Sequence, residues 1–363
     1  MKLKVNGKEA YFTTSGREID KDQPTIVFVH GSGLTHVTWV LQTRYFAFHG
    51  YNTIAVDLPG HGDSEGPPLK SIEEMADWVA ELLNVLGIKK TSYVGHSQGC
   101  LVGLEFAHRH SDKLELLALI NGSLSMKMNP ELLQLAQNKN HKAVDLMMDW
   151  VHGPLGQVGG HPVPGLSHIG MGNQLVSSNN NGALGADFNA CDQYENGEVA
   201  VSSINHPTLC IIGKHDRMTP KKVGLELASK IDKSQKVTAE PTVSSGLVYF
   251  PIYQPPVGTN KCNQGSAYIC ATDDECGTNK SQGLQTNASL DTTAGGDATS
   301  ATIRGPDQCA FVNEGVLSEL VMFGSNLYAN VAGPSEDSST LYILPALPGD
   351  VISNRGGWRD SSY

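Results

Sequence analysis

Tyr93-Val94-Gly95-His96-Ser97-Gln98-Gly99 joins an apolar, strand-forming run to a helical one, Cys100 to His110, and its reading decides the fold. Glycines two residues before and after a serine permit a turn so tight that larger side chains would strike the neighbouring strand and helix. Ser97 is then held in a strained conformation, its hydroxyl above the sheet edge. It stands at a helix N-terminus whose dipole favours a developing negative charge. A Gly-x-Ser-x-Gly also arises by chance in a chain with 39 glycines, and the strand before it and the helix after it tell against chance here.

Outward from this turn, the chain up to residue 236 alternates strand and helix. Thr25-Ile26-Val27-Phe28-Val29 is a continuous apolar, β-branched run that suits a strand buried on both faces of a parallel sheet. Thr53 to Val56, Thr91 to Val94, Leu116 to Ile120 and Thr208 to Ile212 repeat the pattern. The clearest helix starts at Ser71, with Glu74 placed to reach back in a capping box. Ile72, Met75, Ala76, Val79, Leu82, Leu83 and Leu86 mark one face before Gly87 ends it. Strands alternating with helices predict a parallel sheet with right-handed crossovers.

Two further segments belong with Ser97. His30-Gly31-Ser32-Gly33 follows the strand Ile26 to Val29, and its small residues let backbone approach a bound carbonyl. Backbone N–H groups from the Ser32/Gly33 turn and from Gln98 are the candidate oxyanion donors, a device worth a few kcal/mol per donor. Leu209 to Pro220 reads as a buried strand ending at Gly213 and followed by Asp216, at the carboxyl edge where ligands of open α/β sheets collect. Asp216 either orients an imidazolium or caps a helix beginning near Pro220. The order Ser97 then Asp216 agrees with the catalytic version.

These segments carry a resemblance. Val29-His30-Gly31-Ser32-Gly33, Asp57-Leu58-Pro59-Gly60-His61-Gly62-Asp63-Ser64, Gly95-His96-Ser97-Gln98-Gly99 and Gly213-Lys214-His215-Asp216 resemble the successive landmarks of the α/β-hydrolase family. The resemblance covers residues 1–237. It implies an eight-stranded, mostly parallel sheet flanked by helices, with a cap of about residues 125–197 that opens at Met126 and Met128. The cap would hold a helical piece, Glu131 to Val151, and a turn-prone run from Ser177 to Gly182. It also implies hydrolysis of a small-molecule ester, thioester or related acyl substrate through an acyl-serine at Ser97, with no cofactor and no metal.

One landmark is missing. The family places a histidine roughly 25 to 30 residues beyond the acid, to take the proton from the serine. Here Lys236-Val237-Thr238 looks like the onset of the last strand, Ala239 to Gly246 follows, and no histidine occurs after His215. Without a base Ser97 is a neutral alcohol and a poor nucleophile. His30, His36, His61, His96, His168 and His215 read as structural groups or pocket liners, not as replacements. The alternatives are a serine hydrolase of impaired competence, a non-enzymatic hydrolase-like binding protein, and a chimeric chain whose tail is a surface-interaction module.

The tail differs in kind. Residues 238–363 form a β-rich, Gly/Ser/Asn-rich, cysteine-containing segment. From Val237 onward there are 13 acidic and five basic residues, so this third supplies −8 of the total charge of −11. Leu247 to Tyr253, Ala267 to Cys270 and Leu341 to Leu344 have strand composition. Cys262-x7-Cys270-x5-Cys276 with Cys309 fits no zinc spacing, and disulfides in any of three connectivities are the more natural use. Asp273-Asp274-Glu275 lacks the alternation of a calcium loop. The stretch Gly246 to Gln282 and the end Gly356-Gly357-Trp358-Arg359 resemble the last part of type IV pilus-tip assembly proteins. An acidic chain without a run of Lys or Arg argues against a nucleic-acid partner. No stretch approaches about 18 uninterrupted apolar residues and the first twenty residues lack a secretion signal's apolar core, so no membrane span and a cytoplasmic location are expected.

Overall fold

The computed structural model describes residues 1–153, 167–179, 182–214 and 216–231, together with the strands named below from residue 234 onward. His215, Cys262, Cys276 and residues 238–241 lie outside the described residues. The chain divides into two compact units, Met1–Lys236 and Val237–Tyr363.

The first unit is built on one sheet. A hairpin of β1 (Lys2–Val5) and β2 (Lys8–Thr13) precedes β3 (Thr25–Val29), α1 (Val40–Phe48), β4 (Asn52–Val56), α2 (Ile72–Val85), β5 (Thr91–His96), α3 (Gln98–Arg109) and β6 (Leu114–Ile120). Among the described residues five helices then intervene before the next strand: α4 (Pro130–Gln137), α5 (Lys142–Val151), α6 (His168–Ser177), α7 (Ala183–Gln193) and α8 (Gly197–Ser202). The unit closes with β7 (Thr208–Ile211), α9 (Lys221–Ser229) and β8 (Ser234–Val237). The order across the sheet is β1-β2-β4-β3-β5-β6-β7-β8. β1, β2 and β4 pair antiparallel, while β4, β3, β5, β6 and β7 form a parallel run in which Val29 stands opposite Gly95 and His96 opposite Ile120.

All five residues of β3 and all five of β4 are buried, as continuous apolar runs in a doubly covered sheet require. α2 shows how local and global signals agree. The Ser71 side chain accepts the Glu74 N–H at 3.2 Å, and Ile72, Met75, Val79, Leu82 and Leu83 pack into the main core. The reciprocal arm of the capping box lands one residue early, with Glu74 Oε2 accepting from the Lys70 N–H at 2.9 Å.

The helices between β6 and β7 form a cap with a core of its own, in which Leu132, Met147, Met148, Val176 and Phe188 pack together. Its first helical piece is two helices, not one. The chain turns between α4 and α5 at Lys139, which takes a φ of 56° that no helix accommodates.

The second unit is β throughout in its described elements. β9 (Thr242–Ser244), β10 (Leu247–Gln254) and β11 (Ser266–Asp273) are followed by the short pair β12 (Ser289–Leu290) and β13 (Thr299–Ser300), then β14 (Thr302–Ile303) and β15 (Cys309–Glu314). β10, β11, β15 and β14 pair antiparallel in that order, with Cys270 directly opposite Cys309. β16 (Val316–Leu317), β17 (Val321–Phe323), β18 (Asn326–Ala332) and β19 (Ser339–Pro345) make a second antiparallel sheet around β18.

Candidate active site

Ser97 occupies the junction of β5 and α3 with φ 52° and ψ −118°, a region that L side chains enter only under strain, typically at a cost of about 1–3 kcal/mol. The surroundings hold it there. Its N–H donates to the Ile120 carbonyl at 2.9 Å, and its carbonyl accepts from the Cys100 N–H at 2.8 Å. A methyl group on Gly95 would run into the Gly99 carbonyl, and one on Gly99 into the Val29 carbonyl. Both glycines are therefore required by contact with backbone, which cannot yield as a side chain can.

The turn after β3 faces this bend. A Cβ on Gly31 would lie 3.1 Å from both His96 Nδ1 and Ser97 Cβ, so the two loops approach closely here. The turn closes with the Leu34 N–H on the Gly31 carbonyl at 3.1 Å, and Gly33 takes a φ of +67°. Of the two sequence-predicted donors here, the Gly33 N–H is already engaged, donating to Asp187 Oδ2 at 2.7 Å. The Ser32 and Gln98 amides have no acceptor among the described residues. Gln98 opens the 12-residue helix α3, so its N–H carries the positive end of the helix dipole.

Asp216 follows β7 at the same edge. Its Oδ1 accepts from the Met218 and Thr219 N–H groups at 2.8 and 3.0 Å, and its Oδ2 from the Thr219 hydroxyl at 2.8 Å. These bonds fold the loop around the carboxylate ahead of α9, whose N-cap is Pro220. Asp216 also acts on the residue before Ser97. Burial pushes the His96 imidazole below its ordinary value, and the Asp216 charge works in the opposite direction. His96 Nδ1 is buried without a hydrogen-bond partner.

The other histidines divide clearly. His30 is fully buried, with Nδ1 at 2.9 Å from the Gly31 carbonyl and Nε2 accepting the Leu58 N–H at 3.2 Å. His36 pairs with Asp57 at 2.8 Å. His61 Nε2 lies 2.9 Å from Asp187 Oδ2, with both side chains buried. Burial opposes the charge on His61, but Asp187 outweighs it and raises the imidazole above its usual value. Burial likewise raises the Asp187 carboxyl, and the His61 charge and hydrogen bond with the Gly33 N–H bring it below its usual value. Neither His30 nor His61 lines the cavity described next.

Ser97, His96, Gly31 and Ser32 form the floor of a cavity of 760 Å³ roofed by the cap. Met126, Met128, Met147, Met148, Met171 and Met218 line it, six of the nine methionines in the chain. His152 and His168 of the cap also face it, their rings stacked at 6.2 Å. Two residues that sequence reasoning passed over, Asp187 and Asn179, reach this region from the cap. Asn179 donates to the Gly33 and Leu34 carbonyls at 2.9 and 3.0 Å. Neither stands in a recognisable motif, and only the tertiary pairing reveals them.

Residues 24–153 match the protein-family model described as the alpha/beta hydrolase fold. An (E)-2-((N-methylformamido)methylene)succinate hydrolase of Acinetobacter baylyi is 29% identical over 118 residues, 32% of this chain and 43% of that protein. A putative carbamate hydrolase RutD of Pantoea ananatis is 34% identical over 114 residues, 31% of this chain and 41% of that protein. The matches thus span less than half the length of these curated relatives. Among solved structures, the enol-lactonase of Burkholderia xenovorans aligns with a TM-score of 0.59 at 24% identity, covering 65% of this chain and 90% of that one. A thermophilic esterase of Thermogutta terrifontis aligns at 0.55 and 23% identity, covering 65% and 88%. The chain carries the alpha/beta hydrolase fold, and the two curated relatives above are named as hydrolases.

Proposed function

We propose that the chain is a serine hydrolase of slow turnover, acting on esters, thioesters or related acyl substrates with a substantial apolar part. Ser97 is the nucleophile, the Ser32 and Gln98 amides receive the oxyanion, and Asp216 supplies the negative charge at the site's edge. The observation that carries this reading is the forced backbone of Ser97 on the cavity floor, beside the Ser32 and Gln98 amides that have no acceptor among the described residues. The methionine-lined wall supports an apolar acyl or alcohol portion, because unbranched, polarizable side chains adapt to ligands of varied shape.

The absent histidine sets the expected rate. In a comparable triad, removal of the base costs about 10⁶-fold, leaving about 10³ to 10⁴ over the uncatalysed reaction from oxyanion stabilisation and binding. Hydrolysis of p-nitrophenyl butanoate and octanoate tests the proposal. The expected result is slow turnover of both esters with an acyl adduct on Ser97 in the intact mass, the adduct absent in Ser97→Ala. Turnover without any acyl adduct on Ser97 would count against it.

The second reading, a binding protein on a hydrolase scaffold, is favoured by the lack of any histidine beyond His215. It predicts binding of apolar esters with no Ser97-dependent turnover. The likeness of the tail to pilus-tip assembly proteins rests on sequence motifs alone and adds nothing to either reading.

A further inference from the structure

The turn that carries the Ser32 amide is gripped from the cap. At Gly33 the N–H donates to Asp187 Oδ2 at 2.7 Å and the carbonyl accepts from Asn179 Nδ2 at 2.9 Å, so both faces of one residue are tied to side chains about 150 positions away. The same two side chains hold the loop after β4. Asp187 Oδ2 takes His61 Nε2 at 2.9 Å, and Asn179 Oδ1 takes the Gly62 N–H at 2.6 Å. Between them α7 lies flush on the turn, because a methyl on Gly33 would come within 2.8 Å of Leu184 Cδ1.

We propose that Asp187 and Asn179 are positioning residues through which the seating of the cap sets the direction of the Ser32 amide. This inference rests on the assignment of Ser32 as an oxyanion donor. Its physical basis is that, among the described residues, the Ser32 side chain and the Gly33 polar groups find their partners in the cap, the Ser32 hydroxyl lying 3.8 Å from Cys191 Sγ. Leu34 closes it on Gly31, but the polar groups of Gly33 have only cap partners among the described bonds. The arrangement is also costly as mere scaffolding. Asp187 is fully buried and its Oδ1 has no partner among the described residues, and an apolar or neutral side chain would hold α7 against the core with less desolvation. The carboxylate does what an apolar side chain cannot, since it fixes one N–H and one imidazole at once. An oxyanion hole works only when its donors are aimed before the charge develops, so a cap that grips the turn completes the site when it is docked.

The test uses the full-length chain with Asp187→Ala, Asp187→Asn and Asn179→Ala. Hydrogen exchange of the Gly31 to Leu34 segment and phosphonylation of Ser97 by a fluorophosphonate are measured together. Asp187→Asn keeps an acceptor for the Gly33 N–H, whereas Asp187→Ala removes it. The expected results are exchange of the turn faster by about tenfold or more in Asp187→Ala and Asn179→Ala, near the parent rate in Asp187→Asn, and a maximal phosphonylation rate reduced in the same order with half-saturation unchanged. Equal behaviour of the Ala and Asn variants at position 187, or unchanged exchange in the turn, overturns the proposal. If Asp187→Ala does not fold, Asn179→Ala, at a half-buried position, decides it. If the parent is not phosphonylated at all, the assignment of Ser97 fails by itself, and exchange in the turn alone decides whether the cap holds it.

Discussion

At Gly99 the closest approach to an added methyl group is the Val29 carbonyl, and at Gly95 it is the Gly99 carbonyl. Backbone atoms fixed in a parallel sheet cannot move aside, so Gly99→Ala is expected to destabilise the fold by about 1–3 kcal/mol or more and to abolish phosphonylation of Ser97. A thermal melt together with intact mass after labelling checks both. The buried histidines give a second prediction at this scale. Burial, with the charge of His61 next, pushes His30 down to about 4, and the Leu58 N–H donated to its Nε2 suits the neutral ring. In the unfolded chain it titrates near 6.5, so as pH falls from 6.5 toward 4 the unfolded state takes up a proton that the native state refuses. The account predicts a loss of roughly 3 kcal/mol across that window from this group. His61 has the opposite sign, because its pKa is raised, and its contribution is lost only as pH rises through that elevated value. Urea unfolding at pH 5 and pH 7 should show the acid-side loss, and His30→Asn should flatten it. An unchanged slope in that variant would contradict the assignment.

At the scale of elements, most of the first unit was legible from the sequence. The β-branched runs and the Ser71 to Gly87 pattern report directly on burial and capping, and β3, β4 and α2 form where those signals stand. The break at Lys139 was not legible, because α4 and α5 pack into one apolar core and only the short turn of residues 138–141, with a left-handed φ at Lys139, separates them. Nor was the engagement of the Gly33 amide, since its acceptor lies 154 positions away in a helix with no distinguishing motif. In the second unit, register decides something that spacing leaves open. β11 and β15 place Cys270 opposite Cys309, and opposed residues of an antiparallel pair stand about 4.5–5.5 Å apart at Cα, within reach of a disulfide. Of the three connectivities, the account predicts Cys270–Cys309 with Cys262–Cys276 after air oxidation. Non-reducing peptide mapping that finds Cys270 joined to Cys262 or Cys276 would refute it.

For the whole molecule, the four motifs specified the scaffold because each is a backbone requirement: a tight bend, a close approach, a strand end. Competence is a different matter, since it turns on a single imidazole that no fold demands. The central claim is that Ser97 is an aimed nucleophile over an oxyanion hole, even with its usual base missing. The most direct measurement is peptide-resolved mass spectrometry of the full chain after prolonged exposure to a fluorophosphonate. The account predicts an adduct that accumulates slowly on Ser97, in preference to the chain's other serines, and that is absent in Ser97→Ala. No adduct, or one spread evenly over exposed serines and unchanged in Ser97→Ala, would contradict it.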